Sequence, residues 1–273
     1  MSVRSSTRAE VVPRVALAAV LALSAACKKD PPPAASEPLK VAAAADLAFA
    51  FKDVGDAYTK KTGQLVTFSF GSTGLLAKQI SEGAPFDVFA AANVSFADDT
   101  VKAGACSGDT KALYATGRIV MWAKKGTAPP ASLADLADRK WTKIAIANPE
   151  HAPYGRAAKD AMTRAGVWDK VQPRMVYGEN VQQTLQYAQS GNVEVALVAL
   201  SLAMVSTDGT YTTIDSNAHA RIDQALVACK GKNPAPTEGA KSFVAFVNSD
   251  EGRTVMRKFG FLLPGEVASA SAK

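Results

Sequence analysis

Three features of the sequence predict an α/β fold of two lobes. From Leu39 onward, apolar runs of strand character alternate with segments whose apolar residues recur at helical spacing. The alternation comes in two series, divided by a proline-marked loop at Pro129 and Pro130. No internal repeat of fixed period accompanies them, and strands alternating with helices imply parallel sheets covered on both faces. The 273 residues, 48% hydrophobic and 21% charged, suffice for one large domain or two modest ones.

The elements follow in order. "LKVAAAA" is an apolar strand, and "DLAFAFKDVGDAYTKKTG" then sets Leu47, Phe51, Val54 and Tyr58 on one helical stripe that stops at Gly63. "QLVTFSF" and "FDVFAAA" are the next strands, each followed by a helix, "TGLLAKQISEG" and "NVSFADDTVKAG". A long apolar strand, "GRIVMWAKKG", leads to the proline loop. The second series opens with "KIAIANPEHAPYGRAAKDAMTRAG" and continues with a helix, "VQQTLQYAQSG", and a fully apolar strand, "VEVALVAL". "RIDQALVACKG" returns to strand character, and two helices, "TEGAKSFVAFVNS" and "DEGRTVMRKFGF", close the fold. The late strand is expected to rejoin the first lobe, so that the chain crosses between lobes twice. The expected boundaries are residues 39–117 with 221–266 for the first lobe and 118–220 for the second, with a disordered tail at 267–273.

The N-terminus lies outside this fold. Arg4, Arg8 and Arg14 precede "VALAAVLALSAAC", an apolar run too short to span a bilayer, which is the layout of an export signal over residues 1–26. Cys27 follows "LSAA", which resembles a bacterial lipoprotein processing site; the alternative is a plain secretory signal cut near Ala26. The Pro-rich segment 27–38, "CKKDPPPAASEP", is a tether that would hold a folded body off a membrane surface. Export places Cys106 and Cys229 in an oxidising compartment, where they either pair or remain as two buried thiols. The net charge of +6 falls to +4, 28 basic against 24 acidic residues, without the first 26 positions. No basic helix interleaved with aromatics appears, so no nucleic-acid partner is expected.

Chemistry concentrates at the strand-to-helix junctions, "AAAADL", "FGSTG", "NPEHAPYG" and "GENVQQ", each rich in small residues. In an open α/β sheet such junctions gather at the carboxyl ends of the strands, where ligands bind. Helix N-termini there offer unpaired N–H groups and a positive dipole end, an anion site that needs no cationic side chain. In "FGSTG", Gly71 and Gly74 free the backbone while Ser72 and Thr73 supply hydroxyl donors; alternatively, either hydroxyl caps its own helix. His151 is read as a loop-stabilising residue, His219 as a surface residue, Asp98 and Asp99 as a solvated helix face, and Trp122, Trp141 and Trp168 as packing. No nucleophile–base arrangement, metal-ligand spacing, Walker motif or dinucleotide glycine motif is present, so neither an enzyme nor a cofactor is expected.

The motifs "AAAADL", "FGSTGLLAKQISEGAPFDVFAAA", "NPEHAPYGRAAKDAM", "GENVQQTLQYAQSGNVEVALVAL" and the terminal "FGF", in this order and spacing, resemble the periplasmic molybdate-binding proteins of ABC importers. The resemblance runs from about Leu39 to Leu263. It implies a type II periplasmic-binding-protein-like fold, two α/β lobes joined by a two-segment hinge, with the anion clamped between them. It further implies a monomer that captures molybdate or tungstate and works with an ABC permease and its ATPase. The implied oxyanion contacts are Asp46, Ser72, Thr73, Tyr154 and the amide of Val181, holding molybdenum only as molybdate with no direct protein–metal ligand. A tyrosine that other members carry aligns with Ala199, and Tyr154 is expected to replace it.

Asp46 is the departure, because relatives often place a hydroxyl there and a carboxylate repels a dianion at contact. The preferred expectation is that Asp46 turns away to cap its own helix; the alternative is that it lies outside the pocket. A pocket of N–H and O–H donors alone would accept unprotonated molybdate, tungstate or sulfate and disfavour hydrogen phosphate, whose proton would lack an acceptor. Capture of sulfate or another tetrahedral oxyanion, a sensory lipoprotein, and a small-molecule enzyme on the same scaffold are the competing readings.

Overall fold

The computed structural model describes residues 37–267. The export signal at 1–26, Cys27, nearly all of the tether and the tail beyond Val267 lie outside the described residues. The first sheet takes β1 (Leu39–Ala44), β2 (Val66–Gly71), β3 (Val88–Ala91) and β4 (Ala112–Gly117), with α1 (Ala50–Thr62), α2 (Thr73–Ser81) and α3 (Val94–Lys102) between them. The chain continues with β5 (Ile119–Lys124), β6 (Ile144–Ala147), α4 (Pro153–Arg164), the short α5 (Trp168–Val171), β7 (Met175–Gly178) and α6 (Val181–Gln189). Then come β8 (Val195–Ala199), the short α7 (Leu200–Ala203), β9 (Gly209–Thr213), β10 (Ile222–Ala228), α8 (Glu238–Val247) and α9 (Asp250–Lys258).

These strands make two five-stranded sheets, ordered β2-β1-β3-β10-β4 and β7-β6-β8-β5-β9. Both are mixed, a correction to the parallel sheets expected from the alternation. β1 pairs in parallel with β2 and β3, and β6 with β7 and β8, each joined by a helical crossover. β10 enters between β3 and β4 antiparallel to both, and β5 runs antiparallel to β8 and β9. These strands arrive from the other lobe or through turns, so no right-handed helical crossover sets their direction. β10 lies in the first sheet although the strand before it, β9, lies in the second, and the chain therefore passes between sheets twice.

The first passage is a single residue, Arg118, between β4 and β5; its Nε and Nη2 donate to the Gly260 carbonyl at 3.1 and 2.8 Å. The strand expected from Gly117 accordingly starts at Ile119. The second passage runs from Thr213 to Ile222 and holds His219. That histidine is buried, not on the surface as expected, with Nδ1 donating to the Ala220 carbonyl at 2.8 Å.

Helix stops follow local chemistry. Gly63 closes α1 at φ 75°, a left-handed conformation that a side chain resists. The predicted first helix is in fact split. Ala45–Leu47 form a single 3-10 turn before α1 begins at Ala50, because the chain must bend off the end of β1 before it can run back along the sheet. Under the first sheet, Tyr58 meets Phe243 and Phe246 edge-on at 5.2 and 5.4 Å, and Phe51 meets Phe68 and Phe243. Offset and edge contacts of this kind add roughly 0.5–1.5 kcal/mol per pair to plain burial, and they tie the C-terminal α8 to α1. Trp122 and Trp141 are buried. A disulfide joins Cys106, after α3, to Cys229, after β10. Among the described residues no helix is long and apolar enough to cross a membrane.

Candidate functional site

The carboxyl ends of β1, β2 and β3 face those of β6 and β7, and the small-residue junctions of both lobes close around one cavity. Asp46, Gly71, Ser72 and Thr73 form one wall, and Pro153, Tyr154, Asn180 and Val181 form the other, around a narrow cavity of about 10 Å³. All five residues expected to meet the anion lie here. Among the described residues no lysine or arginine lines the space. The N-termini of α2 and α6, one from each lobe, both point into it.

Each helix start is built to leave donors over. At α6 the Asn180 side chain accepts from the amides of Gln182 and Gln183, both at 3.0 Å, and leaves the Val181 amide to the cavity. At α2 the Gly74 amide donates to the His151 carbonyl at 2.9 Å, while Thr73 Oγ1 accepts from the Ala92 amide at 3.2 Å and keeps its own proton free. The buried Thr73 hydroxyl is therefore positioned as an acceptor on one side and a donor on the other.

Two side chains hold positions that their sequence reading did not anticipate. The Ser72 hydroxyl lies 2.7 Å from His151 Nδ1 and 3.0 Å from the His151 carbonyl, so it closes the lobes instead of offering its proton to the cavity. His151 is thus more than a brace for its own loop. Gly74 is required for this closure, since a Cβ there would stand 2.8 Å from the His151 carbonyl oxygen.

Asp46 does not turn away to cap its helix. The 3-10 turn that carries it has no side-chain cap, and its carboxylate is buried in the cleft. Asp46 Oδ2 accepts from the Tyr154 hydroxyl at 2.8 Å and from Gln224 Nε2 at 2.7 Å. Gln224 Nε2 also lies 3.1 Å from the Tyr154 oxygen, and the Ser201 hydroxyl donates to the Asp46 carbonyl at 2.7 Å. Tyr154, expected as a phenolic donor to the ligand, spends its proton on Asp46. Asp46 Oδ1 is buried and has no partner. The expectation of a wall made of donors alone is corrected at this point.

Gln224, Ser201 and Gly117 were missed in the sequence. Gln224 had a readable signal: a fully buried amide inside the apolar run "IDQALVA" must have a partner. Gly117 had none, because its necessity is tertiary; a Cβ there would meet the Tyr154 hydroxyl at 2.1 Å.

Burial raises the Asp46 pKa to about 6, against the lowering effect of the Gln224 and Tyr154 hydrogen bonds. Burial and the nearby Asp46 charge push both Tyr154 and Tyr114 well above the usual phenol value, so both stay protonated. The folded Asp46 pKa lies above its ordinary value of 3.8, so the empty folded chain holds more protons than the unfolded chain between pH 3.8 and about 6. Stability is greatest below that window and falls as pH rises through it, by on the order of 3 kcal/mol once Asp46 is fully ionised. Asp46→Asn keeps the shape and the acceptor for Tyr154 and Gln224. In the absence of oxyanion it is expected to resist urea better than the parent at pH 7.5 and to lose that advantage near pH 4. Equal unfolding midpoints at pH 7.5 would remove the charge from this account.

Residues 39–262 match the family of bacterial extracellular solute-binding proteins. The chain belongs to that family. This solute-binding protein is 32% identical over 233 residues to the molybdate-binding protein of Rhodobacter capsulatus, covering 84% of the present chain and 90% of the relative. It is 33% identical over 232 residues to a putative ABC transporter substrate-binding lipoprotein of Bacillus subtilis, covering 82% and 85%. Among solved structures, the periplasmic molybdate-binding protein of Azotobacter vinelandii superposes with a TM-score of 0.76 at 29% identity, over 83% of this chain and 99% of that one. Among the described residues, no group of three or more His, Cys, Asp or Glu is placed to hold a metal ion.

Proposed function

We propose that this solute-binding protein captures molybdate, and tungstate with it, in the cleft between its lobes and delivers it to an ABC permease and ATPase. It acts as a monomer without cofactor and as a binder, not an enzyme, held at the membrane from the periplasmic side by acylated Cys27. One observation carries the reading. The N-termini of α2 and α6, from different lobes, converge on one cavity whose wall contains Thr73 and Val181 and, among the described residues, no basic side chain. Amides at helix N-termini favour a compact anion through directed N–H donors and a positive dipole end. Donors supplied by both lobes make the bound anion a bridge, so that occupancy and closure go together. The names carried by the relatives from Rhodobacter and Azotobacter favour molybdate over sulfate as the anion.

Thermal unfolding of the purified full chain with molybdate, tungstate, sulfate and phosphate tests this. An anion present at about 100 times its Kd stabilises the folded state by about 2.7 kcal/mol, so molybdate and tungstate are expected to raise Tm clearly at micromolar to millimolar concentration. An equal rise with sulfate would replace molybdate by a general oxyanion specificity. No response to any of the four would overturn the reading.

A further inference from the structure

We propose that Asp46 is a proton-binding part of the anion site: the cleft takes up one tetrahedral oxyanion together with one proton, held between Asp46 Oδ1 and an oxygen of the anion. The inference rests on the oxyanion reading above and deepens it by fixing the protonation state of what is bound.

The two carboxylate oxygens have separate surroundings. Oδ2 is saturated by the Tyr154 hydroxyl at 2.8 Å and Gln224 Nε2 at 2.7 Å, which orient the group. Oδ1 is buried without a partner in the wall that also holds Thr73 and Val181. An ionised carboxylate only accepts, and an unprotonated dianion only accepts. Two such acceptors pressed together in a buried cleft repel each other and leave lone pairs unsatisfied. A single proton between them turns the repulsion into a charge-assisted O–H···O hydrogen bond.

Among the described residues no cationic side chain near Asp46 relieves that repulsion. From α4 and β4 the facing titratable groups are Tyr154 and Tyr114, both held in the neutral form. From β10 and α7 the neighbours are Gln224 and Ser201, which carry no charge. His151, across the cleft, is bonded through Nδ1 to Ser72 and not to Asp46. Among the described residues no lysine or arginine stands in the wall. The carboxyl already has an affinity for protons raised by burial to a pKa of about 6, and a dianion alongside raises it further.

The proton balance separates two kinds of anion. Molybdate brings no proton at neutral pH, so above the Asp46 pKa its binding draws one from solvent. Its affinity then falls about tenfold per pH unit. Hydrogen phosphate brings its own proton, which ionised Asp46 accepts, and no proton is drawn. The exclusion of hydrogen phosphate expected from an all-donor pocket is thereby lifted, and size alone is left to discriminate.

Calorimetric titration of the full chain with sodium molybdate, in pairs of buffers of different ionisation heat from pH 5.5 to 8.5, tests the proposal. The parent is expected to take up close to one proton per molybdate at pH 7.5 and above, with Kd rising about tenfold per unit. Asp46→Asn supplies its own N–H donor and is expected to take up none, with a flat Kd that is the tighter of the two at pH 8.5. The molybdate complex of the parent at pH 7.5 should also show a carboxylic-acid C=O infrared band that Asp46→Asn lacks. Should the variant not fold, proton uptake and the pH slope of the parent decide alone. Molybdate binding with a flat Kd and no proton uptake would overturn the proton inference and leave the oxyanion reading standing. Failure of the parent to bind molybdate, tungstate, sulfate or phosphate at any of these pH values overturns both.

Discussion

Breaking the Cys106–Cys229 bond is expected to destabilise the protein by about 3–5 kcal/mol, a large loss for a change away from the cleft. The two cysteines are 123 residues apart, and both border the first sheet, one after α3 and the other after β10. The loop they close therefore contains the entire second sheet with its helices. In the unfolded chain that loop is long, so the bond removes much of the conformational freedom that folding must otherwise overcome. Within the folded state it ties the end of β10, the strand whose position depends on the chain having returned from the other lobe, to the segment that follows α3. Urea unfolding of the parent with and without reductant, and of Cys229→Ala, measures the effect. A shift below about 1 kcal/mol would mean that the reduced chain keeps the first lobe together by packing alone. The bond does not line the cavity, and oxyanion binding is expected to survive in whatever fraction stays folded.

Gly155→Ala is expected to lower stability by about 3 kcal/mol or more and to abolish stabilisation by molybdate. A Cβ on Gly155 would lie 1.9 Å from the Ala147 carbonyl oxygen and 2.7 Å from its carbon. Both are backbone atoms at the end of β6, and no rotamer avoids them. α4 would have to rise off the sheet, taking with it Tyr154, whose hydroxyl orients Asp46, and Pro153 in the cavity wall. Gly239→Ala is the matched control. Its nearest neighbours would be 3.9 Å away, within ordinary contact, and α8 should keep or slightly gain stability. Similar midpoints for the two variants would show that α4 can move without cost and would remove the close packing of Gly155 as the support of Tyr154.

Much of this molecule was written in local pattern. Val41 with its alanines, the stripe Phe51–Val54–Tyr58, the run "VEVALVAL" and the helix stop at Gly63 each declare an element through the period of their apolar residues, which depends only on near neighbours. The gathering of small-residue junctions followed from the same alternation, and it pointed to the right wall of the fold. Strand direction was not legible for β5 and β10, because antiparallel entry depends on where a chain returns from, not on what it is made of.

The lesson is sharpest at Asp46. By itself the sequence determined that an aspartate stands at the first junction, that Thr73 and Val181 open helices, and that no basic residue accompanies them. Only the tertiary structure decided which way the carboxylate faces, through Gln224, 178 positions away, and Tyr154, 108 positions away. A helix or strand is selected by residues a few positions apart, whereas a buried charge is placed by whichever distant donors the closed lobes bring to it.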